Sequence, residues 1–136
     1  MLTLVPRGIR NHNPGNIVRN HIGWRGMAED QSADPRFVVF CEPYWGLRAM
    51  ALLLRNYQAK YQLCTIDGII RRWAACGECD PCDYVRQVAG SLDISPHAFI
   101  CLNAAILPPV MRTIVQLENG MQPYPDGLIA RAVSAY

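Results

Sequence analysis

From residue 43 onward, apolar positions recur every three or four residues. Leu47, Met50, Ala51, Leu54, Tyr57 and Tyr61 form one stripe on a long helix opened by Pro43. Ile66, Ile69, Ile70 and Trp73 form a shorter stripe, with Thr65 placed to cap it. Asp80-Pro81 has the form of an N-cap followed by proline at the first helical position. Tyr84, Val85, Val88 and Ala89 continue that helix, and Gly90 stops it. Ser95-Pro96 repeats the start signal and predicts a helix over "HAFICLNAAIL". Pro108-Pro109 break it and open the next helix, which Gly120 ends; "DGLIARAVSAY" predicts a last short one.

The first third of the chain has no such period. "RNHNPGNI" (10–17) holds three asparagines and a Pro-Gly pair, which break helix and strand and favour turns. "GWRG" reads as a turn around an aromatic, and "RFVVF" (36–40) as a brief strand. The pattern predicts a mainly α domain over residues 1–136, with at most a short β-strand or hairpin.

Composition narrows the function classes. The 136 residues are enough to bury a core without cross-links, and 51% apolar against 18% charged argues against disorder. Thirteen basic and 11 acidic residues give a formal charge of +2, too balanced to indicate nucleic acid. Weak attraction to an anionic polymer such as a cell wall is allowed. The longest apolar run, "MALLLRNY", is interrupted by Arg55 and is far short of the roughly 20 residues of a membrane span. "MLTLVPRGIR" lacks the form of a secretory signal, so synthesis in the cytoplasm is expected, with another agent carrying the protein outward.

One carboxylate is out of phase with its helix. At about 100° per residue, Glu118 falls roughly 40° from Ile114 and roughly 20° from Met111, on the apolar face. It also occupies the last turn, at the negative end of the helix dipole. Both effects work against the ionised form, which suits a general acid. A structural glutamate bonded to a neighbouring loop is the alternative. The other acids have simpler explanations. Glu42 complements a helix start, Asp80 caps, and Glu29, Asp30 and Asp34 flank a turn and read as solvated. His12, His21 and His97 form no metallopeptidase spacing, and no nucleophile elbow or phosphate loop occurs.

Six cysteines are many for a chain of this length. Cys64, Cys76, Cys79 and Cys82 have a spacing that zinc tolerates, but a second complete CxxC arm is missing. No metal or other cofactor is expected, and free thiols or disulfides are the simpler reading.

Four segments taken together, "RGIRNHNPGNI", "FVVFCEPYWGLRAM", "TIDGIIRRWA" followed by "ECD" and Tyr84, and "LENG", resemble a family of small phage and prophage proteins. Its members carry an RNxNPGNI loop, an FxxFxxPxxGxRA segment, a TIxxIIxRWAPPxEND stretch and a closing HENG. They are described as virion or structural proteins and are similar to the muralytic lysis enzyme of enveloped double-stranded RNA phages. The resemblance covers nearly the whole chain. It implies a lysozyme-like, lytic transglycosylase-like single domain, with Glu118 as catalytic acid. Two departures stand out: "AACGECDPC" replaces a proline-rich stretch, and Leu117 replaces the histidine before the glutamate.

Lysozyme-like wall enzymes place an asparagine loop after the catalytic glutamate, whereas here the loop comes first. A circular permutation would bring "RNHNPGNI" beside Glu118. Under that reading Asn11, Asn13, Asn16 and Asn119 bond the sugar's amides and hydroxyls. Trp24, Tyr44, Tyr124 and Trp73 offer stacking faces, and Glu78 lies near the substrate. The expected partner is bacterial peptidoglycan, together with other virion proteins, reached within a particle or through a holin-type opening. A peptidoglycan endopeptidase or amidase, and a non-catalytic wall-binding virion module, are the competing functions.

Overall fold

The computed structural model describes residues 5–74 and 80–135. Among these residues six helices follow one another: α1 (Arg7–Arg10), α2 (Pro43–Tyr61), α3 (Ile66–Trp73), α4 (Pro81–Ser91), α5 (Leu107–Asn119) and α6 (Asp126–Val133). The protein is mainly α, and no sheet forms among the described residues.

The helix ends obey the local chemistry. Thr65 Oγ1 accepts from Gly68 N at 3.0 Å to cap α3, and the Asp80 carboxylate accepts from Cys82 N at 2.9 Å to cap α4. Gly120 takes the left-handed conformation (φ 72°) that closes α5. Gly90 does not stop α4, which runs on to Ser91.

Leu47, Met50 and Leu54 of α2, Ile66, Ile69 and Ile70 of α3, Met111 and Ile114 of α5, and Ile129 of α6 are all fully buried in one cluster. Each such side chain contributes about 1.5–3 kcal/mol by leaving water. Tyr57 and Tyr61 depart from the predicted stripe. Tyr57 is half-buried, and Tyr61 is exposed.

Two predicted elements are replaced by glutamine-bonded chain. Residues 36–40 are extended but not a strand, with single bridges Val18–Phe37 and Met27–Phe40. Gln31 bonds both backbone groups of Val39 at 2.8 Å, as a β-partner would. The helix expected after Ser95-Pro96 does not form. There Gln58 donates to Ile100 O at 3.0 Å and accepts from Leu102 N at 2.8 Å, while Ile100 N donates to Cys64 O. Once a tertiary partner satisfies those backbone groups, the start signal at Ser95 has nothing left to drive.

Among the described residues, no helix is long and apolar enough to cross a membrane.

Candidate functional site

The asparagine loop is pinned from within. Asn13 is fully buried; its Oδ1 accepts from Ile17 N at 2.9 Å, and its Nδ2 donates to Ile17 O and Val38 O at 3.0 and 2.9 Å. Asn11, also buried, donates to Asp34 Oδ2 at 2.9 Å. His12 Nδ1 lies 3.2 and 3.1 Å from the carbonyls of Phe40 and Cys41, so this nitrogen carries the proton. Helix α2 can lie against the loop because residue 46 is glycine: a methyl there would overlap the His12 carbonyl oxygen.

Asp34 is the hub of this region, and the expectation that it is solvated is corrected. It is 3% exposed, and its Oδ1 accepts from Arg36 N and Phe37 N, both at 2.8 Å. Burial alone would raise its pKa. The hydrogen bonds from Phe37, Arg36 and Asn11, with the positive charge of Arg7, overcome burial and hold it at about 2.

The outer side of the loop opens on a groove of about 320 Å³. Gly15, Asn16 and Ile17 form one wall, Leu53 and Tyr57 of α2 and Trp73 of α3 another, and Leu117 and Glu118 the end of α5. Trp24 and Phe37 add aromatic faces. Glu118 is half-buried, and each of its oxygens has a donor. Asn16 Nδ2 donates to Oε1 at 3.0 Å, and Tyr84 OH donates to Oε2 at 3.0 Å. The carboxylate is therefore clamped between two neutral donors at a groove wall, not starved of partners in an apolar pocket. Asn119, next in sequence, donates to Pro14 O at 2.8 Å and ties the loop to the same helix end.

Of the expected site residues, the groove collects Glu118, Asn16, Trp24 and Trp73. Asn11, Asn13 and Asn119 are spent on the scaffold. Tyr44 packs edge-on against Trp45 at 5.0 Å, under the Arg131 guanidinium, away from the groove. Tyr124 is in the core; burial pushes its hydroxyl up to about 12. Glu78, Cys76 and Cys79 lie outside the described residues. Cys64 and Cys82 are exposed free thiols, and Arg71 donates to Cys82 Sγ at 3.4 Å.

Tyr84, Tyr57, Phe37 and three arginines (Arg7, Arg36 and Arg72) join the site without having been singled out for it. Tyr84 belongs both to the apolar stripe of α4 and to the motif of the phage resemblance, and its hydroxyl is the part that needs a polar partner.

No family model matches the chain. It is 40% identical over 121 residues to Protein P5 of Pseudoalteromonas phage PM2, an alignment covering 87% of this chain and 74% of that protein. The chain belongs to the family of this phage protein. That protein's name states no activity.

Proposed function

We propose that the chain is a phage muralytic enzyme that cleaves the glycan strand of peptidoglycan, using Glu118 as acid and then base. The single domain spanning residues 1–136 is read as lysozyme-like with permuted element order. One observation carries the reading: Asn16 and Glu118, 102 positions apart, meet at 3.0 Å on the wall of a groove of ligand size.

Glu118 is the sole acid among the described residues that line the groove. A two-carboxylate hydrolase sets its second carboxyl group within about 10 Å of the first. A single glutamate suits transglycosylation instead. Protonated Glu118 gives its proton to the glycosidic oxygen as the bond to C1 breaks. The resulting carboxylate then takes the proton of the same sugar's 6-hydroxyl as that oxygen closes on C1. Asn16 and Tyr84 hold the carboxyl group in place through both transfers, and Trp24 and Trp73 offer faces to the sugars.

Mass spectrometry of the products released from purified sacculi tests the reading. Anhydro-sugar ends are expected. Reducing ends would assign a muramidase, new amines would assign a peptidase, and sedimentation with the wall without products would leave a binding module.

A further inference from the structure

We infer that the groove selects a carboxylated glycan, with Arg7, Arg36 and Arg72 receiving the substrate's carboxylates while the aromatic walls receive its sugar faces. The inference rests on the glycan-cleaving reading and names its substrate class.

The charge at the groove is lopsided. Three arginines line it against one described acid, Glu118, whose oxygens already accept from Asn16 and Tyr84. On the outer helix faces, Arg71, Arg86 and Arg112 each have a carboxylate partner: Asp67, Asp83 and Asp126. Among the described residues, the side chains of Arg7, Arg36 and Arg72 have no hydrogen bond and no ion pair. The buried Asp34 lowers the positive potential near Arg7, but its oxygens are taken by Asn11, Arg36 N and Phe37 N.

The three guanidinium groups are placed by aromatic rings. Arg7 Cζ stands 4.1 Å and Arg36 Cζ 5.0 Å from the Phe37 ring centre. Arg72 Cζ stands 3.6 Å from the Tyr61 ring and 5.5 Å from Tyr57. Rings at these distances attract the guanidinium groups, and N–H groups without a protein acceptor among the described residues can grip a carboxylate with two bonds. A neutral sugar polymer uses the rings and leaves those N–H groups to water.

The test compares one polymer with and without its charges. Glycan strands stripped of stem peptides keep a lactyl carboxylate on alternate sugars, and carbodiimide coupling to ammonia turns these into neutral amides. Binding is measured with Glu118→Gln, so that the strands stay intact, and turnover is measured with the unmodified protein. The carboxylated strand is expected to bind about a hundredfold more tightly, the size of two charge-assisted contacts of about tenfold each. That advantage should shrink as salt rises. Arg36→Gln and Arg72→Gln should each lose about tenfold on the carboxylated strand and nothing on the amidated one, with unchanged circular dichroism.

Peptide-bearing strands form a third arm. Tighter binding of either charged polymer supports the inference, and the ranking tells lactyl from stem-peptide carboxylates. Equal affinity for charged and amidated strands, or arginine variants that bind like the parent, overturns it. Equal affinity together with turnover of both polymers overturns charge selection and leaves glycan cleavage standing. Charge-dependent binding without turnover of either overturns cleavage and leaves the anion selectivity.

Discussion

Asn13 and Asn16 stand three residues apart in one loop, and the two sides of that loop do different work. On the inner side, both ends of the Asn13 amide, the Asn11 Nδ2 group and both Asp34 oxygens are turned onto backbone or onto one another. The groove side, with Asn16, reaches out to Glu118 on α5. Much of the loop's polar composition is thus the cost of holding an irregular backbone that no helix or sheet supports. The contrast predicts which substitutions unfold the protein and which only silence it.

Asp34→Ala has the largest expected effect on stability, a loss of about 4 kcal/mol in urea unfolding, because the buried Phe37 N–H, the part-buried Arg36 N–H and the buried Asn11 amide lose their acceptor. Asn13→Ala follows at about 3 kcal/mol, with activity per folded molecule retained. An Asn13→Ala protein as stable as its parent would break the contrast.

Acid titration gives the next step. The folded pKa of Asp34 is depressed from the ordinary 3.8 to about 2, so its stabilisation is complete above about pH 4. It is lost as pH falls toward 2, and amounts to about 2 kcal/mol. Asp34→Asn should lack that component in a pH series of unfolding midpoints. On the groove side, Asn16→Ala and Tyr84→Phe should cost no more than about 1 kcal/mol, yet slow glycan release roughly tenfold. Destabilisation as large as that of Asn13→Ala would erase the distinction between the two sides.

Most of the helical framework was legible because its signals are local: the stripes of α2, α3 and α5, the caps at Thr65 and Asp80, and the left-handed Gly120. The failures have a non-local cause. Gln31 and Gln58 complete the bonding of extended segments from 8 and 44 residues away, and neither has a sequence pattern that says so. Asp34 read as solvated because its turn looks like any surface turn, while Asn11, which helps bury it, lies 23 residues earlier. Helix phase singled out Glu118, but its donors Tyr84 and Asn16 come from 34 and 102 residues away. The arginine lining was illegible for the same reason, since Arg7, Arg36 and Arg72 belong to three separate segments.

The most direct measurement is the rate of glycan release from purified sacculi by Glu118→Gln beside the unmodified protein, at equal folded fraction. The account predicts a loss of about a thousandfold with the urea midpoint nearly unchanged, the size expected when a general acid is removed. A folded Glu118→Gln protein that releases glycan at the parent's rate would contradict it.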